Sequence, residues 1–259
     1  MSDAMTQLVA DLAAEQDALD EALSPIPATR WETPSPAEGW LLRDCIAHLA
    51  EVDETAAQIA ESGVYPEPSG PKGDGVRSRR QLEARALPIA ELLDWWRSAR
   101  RRMNDALRPL DPKQRLPWVG PPMSVRSFTT ARLMECWSHG LDALAAADLP
   151  AADTDRLQHI AHLGVITREF AYRNRGLEPP DTPLRVDLVA PSGAAWNWGP
   201  NDASDRISGA AGDFCRVVTQ RIHPDDTALQ TQGLAAAEFL RLAQAFAGPP
   251  GSGREPAGG

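Results

Sequence analysis

The sequence predicts a mainly α protein ending in a small α/β part, and three observations carry that expectation. Segments 6–23, 41–61, 89–107 and 126–147 repeat apolar residues at spacings of three and four, the period of an amphipathic helix. Proline-rich stretches at 24–39 and 111–123 punctuate them. After Gly176 the period changes: residues 184–190, LRVDLVA, alternate as a strand does.

Segment 6–23 places Leu8, Val9, Leu12, Leu19 and Leu23 on one face, with acidic residues outside. The loop at 24–39 delivers Trp31 and Trp40, tryptophans suited to plugging the end of a bundle. In segment 41–61, Leu41, Cys45, Leu49, Val52 and Ala56 surround His48, so this histidine points at the core. It reads either as a satisfied core residue or as a ligand. Residues 63–80 are rich in Gly, Pro and charge and predict a long surface loop able to cover a site. Segment 89–107 turns Leu92, Leu93, Trp96, Met103 and Leu107 inward and clusters Arg97, Arg100, Arg101 and Arg102. Those arginines form either an anion site or a solvated face paired with Glu91 and Asp94.

Segment 126–147, with Ser124 as its N-cap, is the most informative. Leu133, Met134, Trp137, Leu141 and Leu144 form one stripe; Arg132, Glu135, His139 and Asp142 form another nearly opposite. Spacings of three and four let a carboxylate and an imidazole share one ion, though the same pattern suits a solvated face. Phe128 lies on the polar side, which suggests that this face is also partly covered.

Residues 154–174 predict a fifth helix closed by Gly176, with His159 and His162 three apart and no inward carboxylate between them. Residues 195–198 return as a hairpin partner of 184–190, and 205–208 extend the sheet. Segments 212–221 and 234–246 predict two more helices, and 248–259, GPPGSGREPAGG, a disordered tail.

At 259 residues, 42% hydrophobic and 24% charged, the chain has ample material for a core. A formal net charge of −10 argues against nucleic-acid and anionic-membrane partners. The scattered Cys45, Cys136 and Cys215 argue against a disulfide framework and for a reducing compartment. No signal peptide or membrane-spanning run is visible, so a cytoplasmic protein is expected. Nothing in the sequence fixes an oligomeric state.

The order PAEGWLLRDCIAHL with His48, then SFTTARLMECWSHGLD with Glu135, His139 and Asp142, resembles the DinB-like metal-binding bundle of the mycothiol-dependent maleylpyruvate isomerase type, in an actinobacterial branch of that family. The resemblance implies a DinB-like four-helix bundle over 1–176, a small α/β domain over 177–247 and a tail over 248–259. It implies that a divalent ion, zinc with nickel as the alternative, is held by His48, Glu135 and His139. Asp142 is then a fourth ligand, an orienting residue behind the ligands, or a salt-bridge partner of Arg132.

An arginine of the C-terminal domain faces the metal in the resembling family, and Arg221, ending DFCRVVTQR, is the position similar to it. Arg132 and Arg221 are the candidates for holding a carboxylate. The implied activity is a thiol-assisted isomerase or transferase acting on an electrophilic small molecule, with mycothiol as the thiol. A hydrolase or lyase using metal-bound water, and a non-catalytic ligand-binding protein stabilised by metal, are the alternatives. Trp95, Trp96, Trp118 and Trp137 are compatible with many ligands and name no substrate.

Overall fold

The structure, a computed structural model, describes residues 3–66 and 77–257. Its chain divides into two compact units, Met1–Ala151 and Ala152–Gly259. The division falls earlier than the expected boundary after Gly176, because the helices following Ala151 pack within the second unit.

The first unit is built on four long helices, α1 (Asp3–Leu23), α2 (Leu42–Ser62), α4 (Ile89–Leu107) and α5 (Val125–Ala146), with a short α3 (Arg79–Ala84) between the second and third. Helix α2 packs most extensively on α4, and α5 lies against both α1 and α2. Their ends are fixed locally. Asp44 accepts from the Leu41 amide at 2.8 Å to start α2, and Gly63, at φ 72°, closes it in the left-handed region. Ser124 accepts from Ser127 N at 3.1 Å to start α5, as expected. The core between them holds Leu23, Trp31, Leu42, Ile46, Leu92, Trp96 and Ala143, all essentially inaccessible, and Trp40 joins it. Cys45, Cys136 and Cys215 are all buried, and none of them is in a disulfide.

Two elements lie in stretches expected as loops. Residues 111–123 contain an antiparallel hairpin, β1 (Arg115–Trp118) and β2 (Gly120–Ser124), packed on α2 and α5. Pro121 and Pro122 conceal that hairpin, because proline donates nothing to a ladder and is tolerated only at an edge, which a two-stranded sheet provides. Helix α3 occupies the end of the predicted 63–80 loop, whose residues 67–76 lie outside the described ones.

Three of the four clustered arginines of α4 are engaged by carboxylates of other helices. Arg97 donates to Asp20 at 2.7 Å, Arg100 to Asp17 and Asp20 at 2.6 and 2.7 Å, and Arg102 to Glu61 at 2.5 Å. Only Arg97 with Asp94, at 3.5 Å, follows the intrahelical pairing that spacing suggests.

The second unit is α/β. Strands β3 (Leu184–Val189), β4 (Ala195–Trp198), β5 (Asp205–Ala210) and β6 (Gln230–Gln232) form a sheet in the order β4-β3-β5-β6, with β3 and β5 parallel and the other pairs antiparallel. The expected single helix over 154–174 is two, α6 (Leu157–Ile166) and α7 (Arg168–Arg173). The break comes at Thr167, at φ −88° and ψ 7°, whose hydroxyl and amide both donate to Leu163 O, at 2.8 and 3.0 Å. Helices α8 (Ala211–Val218) and α9 (Leu234–Leu242) complete the unit, α8 packing on α6 and α9 on β5. The described part of the expected tail is irregular yet held: Gly248 O and Gly251 O accept from Asn174 and Arg175, each at 3.0 Å.

Candidate metal centre

His48 of α2 and Glu135 and His139 of α5 converge. Among the described residues these three form the group able to hold a metal ion, with donor atoms all within 4.8 Å of one another. One Glu135 oxygen, Oε2, stands 3.4 Å from Nε2 of His48 and 3.4 Å from Nε2 of His139. Such separations lie at the long end of the hydrogen-bond range. They match a tetrahedral ion, whose ligands at about 2.0–2.1 Å stand about 3.3–3.4 Å from one another. Two imidazole nitrogens and a carboxylate oxygen are also a donor set that zinc and related divalent ions accept. The residues therefore fit the ion that the resemblance implies.

Backbone and neighbours hold the donors in place. The i, i+4 spacing puts Glu135 and His139 on one face of α5, and the packing of α2 on α5 brings His48 to them. Trp40 covers the imidazoles, stacked on His139 at 5.3 Å between centroids with 9° between planes and edge-on to His48 at 5.2 Å. Behind His48, Gln81 of α3 brings its amide nitrogen to Nδ1 at 2.9 Å. Gln81 was not anticipated, although S-x-x-Q at Ser78–Gln81 is a capping signature that marks the start of α3.

Asp142 lies behind His139, its Oδ2 3.6 Å from Nδ1, and stands outside the donor cluster. That position suits an orienting residue, and the donor cluster itself comprises three residues. Burial works to raise the Glu135 carboxyl, yet hydrogen bonds from His139 and His48 and the charge of Arg132 hold it well below the usual carboxylate range. It is thus ready as a ligand without losing a proton.

The polar face is partly covered, as Phe128 suggests: Phe128, Arg132 and Asp142 are buried, and Glu135 and His139 are half-buried. Arg132 forms no ion pair with Asp142. Its guanidinium lies over Trp118 at 4.5 Å and Phe128 at 5.9 Å, and its Nε and Nη1 atoms have no hydrogen-bond partner among the described residues. Of the four tryptophans noted in the sequence, Trp118 is the one at this arginine. Trp96 and Trp137 belong to the buried interior, and Trp95 donates to Glu54 at 3.2 Å.

Arg221 belongs to the second unit, following α8, where it donates to Thr219 O at 2.7 Å. His162 accepts from Trp198 Nε1 at 3.2 Å, and neither His159 nor His162 is in the donor cluster.

The sequence model described as the mycothiol maleylpyruvate isomerase N-terminal domain matches residues 12–144, a span that contains all three donors. The chain belongs to that family. It is 44% identical over 255 residues to an uncharacterized protein of Mycobacterium tuberculosis, found in two strains, with 95% of this chain and 97% of the relative covered. Among solved structures, the mycothiol-dependent maleylpyruvate isomerase superposes with a TM-score of 0.59 at 17% identity, covering 88% of this chain and 92% of that one. A histidine-to-alanine mutant of it superposes at 0.57 and 18%, with the same coverage. Both show the same fold, a DinB-like bundle followed by a small α/β domain.

Proposed function

We propose that this family member is a metal-dependent, thiol-assisted isomerase or transferase acting on an electrophilic small molecule, with zinc as the ion and mycothiol as the thiol. The single observation that carries the reading is the Glu135 oxygen equidistant from the two imidazole nitrogens, at the spacing a tetrahedral ion requires. Family membership supports the choice of a thiol, because the matched family is described by a mycothiol enzyme.

His48, Glu135 and His139 would hold the ion and leave one place for an outside ligand. A divalent ion there supplies Lewis acidity, lowering the pKa of a thiol or water placed beside it. The remaining work belongs to the chain itself. Trp40 packs against the two imidazoles, Gln81 and Asp142 help to orient their rings, and Glu135 enters already deprotonated. Arg221 is proposed, from its place in the resembling family, to hold a carboxylate of thiol or substrate.

Elemental analysis of protein purified without a metal-binding tag tests the centre, comparing wild type with His48→Ala and His139→Ala. About one divalent ion per chain, lost in both variants while helical content persists, is the expected result. Turnover of electrophiles with and without added thiol then separates the readings: turnover without thiol favours water as the nucleophile and overturns thiol assistance.

A further inference from the structure

We propose that the segment from Arg77 to Leu87 is a strap, held across α2 chiefly by charge, that opens as a unit and thereby uncovers His48. That the opening governs exchange of an ion rests on the function above; the opening itself does not.

The strap and the helix beneath it match rung for rung. On α2, Asp44, His48 and Glu51 follow one another at spacings of four and three and so share a stripe. On the strap, which runs the opposite way, Arg85, Gln81 and Ser78 stand at the same spacings. Arg85 donates through Nε to Asp44 at 2.9 Å, Gln81 meets Nδ1 of His48 at 2.9 Å, and the Ser78 hydroxyl donates to Glu51 at 2.6 Å. His48 is thus the middle rung of three. Arg80 adds an ion pair with Glu54 at 2.5 Å and lies over Trp95 at 4.5 Å, while Arg77 approaches Asp44 at 3.5 Å. From α2, Arg43 donates to the Leu87 carbonyl at 2.5 Å.

These are bonds that water can replace. Among the described residues, α2 is the one element on which α3 packs to any extent. Of the apolar side chains in the strap only Ala84 is buried, with Leu82 and Leu87 half-buried. A helix of six residues has little stability of its own. The Asp44 side chain is fully buried under the strap, where its charge would be costly without the arginines. Lifting the strap returns that carboxylate to water, which solvates it in their place. Arg80 and Glu54 are partly exposed, and pairs of that kind contribute little and are screened by salt. The long helices beneath are instead locked by apolar contacts such as Leu42, Ile46, Leu92 and Trp96. A segment with few buried apolar contacts opens locally while the rest of the fold stays intact. Opening takes Gln81 off Nδ1, so the imidazole that α2 gives to the donor cluster loses the partner that orients it.

Hydrogen exchange of the full-length, ion-free protein, followed by NMR, tests the opening. It is run at about 0.01 M and about 1 M sodium chloride, between which the screening length falls from about 30 to about 3 Å. The amides of Leu82, Arg85, Ala86 and Leu87 are each hydrogen-bonded within the strap. We expect them to exchange at least about tenfold faster than those of central α2 at low salt, and salt to speed them about tenfold more while leaving α2 unchanged. Arg85→Gln is expected to reproduce the salt effect at low salt. Zinc-loaded Arg85→Gln is expected to lose its ion to excess chelator faster than wild type by a similar factor. Strap amides as slow as those of α2, or indifferent to both salt and Arg85→Gln, overturn the proposal. So does zinc loss at the wild-type rate from a variant whose strap amides have quickened. If Arg85→Gln does not fold, the salt response of wild type and Arg80→Gln decide. Protein that opens its strap but takes up no zinc would sink the metal reading alone; zinc held behind a strap that does not open would sink this one alone.

Discussion

Trp40 lies flat on His139, 9° from parallel, while its edge meets His48, so one indole restrains two imidazoles donated by different helices. The loop that precedes α2 thereby sets the geometry of a cluster assembled from α2 and α5. Trp40→Phe keeps a ring at both contacts and is expected to retain the ion. Trp40→Ala opens a cavity in the core, costing about 3 kcal/mol of stability, and frees both rings. Thermal unfolding together with ion affinity, measured by chelator competition, checks both effects. An alanine variant that binds the ion as wild type does would show that the indole is only packing.

Gln81 makes a second, opposite kind of contact. Its Oε1 accepts from Ser78 N at 3.1 Å in the capping box, so its NH₂ group is the part that faces His48 Nδ1. With Nδ1 as acceptor, the proton sits on Nε2, the nitrogen that must be free to bind an ion. Loading the site therefore requires this amide to turn over and give up the Ser78 bond. Gln81→Glu offers a carboxylate able to accept from both groups, and is expected to tighten ion binding; Gln81→Leu should weaken it about 10- to 100-fold. Titration against a competing chelator distinguishes them, and weaker binding in Gln81→Glu would refute the tautomer argument.

Residue types at helical spacing made Glu135 and His139 legible from sequence, because both sit on one helix and need no tertiary information. His48 was ambiguous on its own: a histidine amid apolar residues looks the same whether it ends at a carbonyl or at an ion. Only the resemblance, and then the convergence of α2 on α5, separates the two. Trp118 and Gln81 were illegible for a different reason. Trp118 lies in a proline-rich stretch and Gln81 just past a glycine-rich one, where a four-residue strand and a six-residue helix are too short to show a period. The arginines of α4 misled because their partners Asp17, Asp20 and Glu61 come from other helices, and sequence spacing reports only neighbours on the same one.

Those interhelical pairs set an acid limit. Burial works to raise Asp20, but hydrogen bonds from Arg97 and Ser24 and the charges of Arg97 and Arg100 outweigh it and hold the carboxyl below its ordinary 3.8. Asp44 is likewise lowered, burial being outweighed by bonds from Arg85 and the Leu41 amide. A carboxyl lowered in the native state binds fewer protons folded than unfolded. Its contribution is therefore complete above about pH 4 and is lost as pH falls through the lowered native values. Asp20→Asn is expected to cost about 2 kcal/mol at neutral pH by weakening its ion pairs with Arg97 and Arg100, and to flatten the acid limb of the stability curve. Chemical unfolding between pH 3 and 7 reads this directly; parallel curves for wild type and variant would rule it out.

In the second unit the decisive approach is Gly164 of α6 against Val218 of α8. A Cβ at Gly164 would lie 2.8 and 2.9 Å from the two Val218 methyls and 3.1 Å from the Phe214 ring. Alanine there gains about 1 kcal/mol of helix propensity, but overpacking costs about 1–3 kcal/mol, and Val218 is β-branched and buried, so it cannot swing away. Overpacking should win, leaving Gly164→Ala destabilised by about 1 kcal/mol. Val218→Ala alone loses about 1–2 kcal/mol to the transfer term and cavity. Combined, the two methyl-scale changes compensate: the added Cβ fills the space that the valine methyls leave. A double-mutant cycle by chemical unfolding is then expected to show the pair less destabilised than the sum of the singles by at least about 0.5 kcal/mol. Additivity within error would mean that α6 shifts off α8 to accept the methyl, and that the close packing of these helices does not set the stability of the unit.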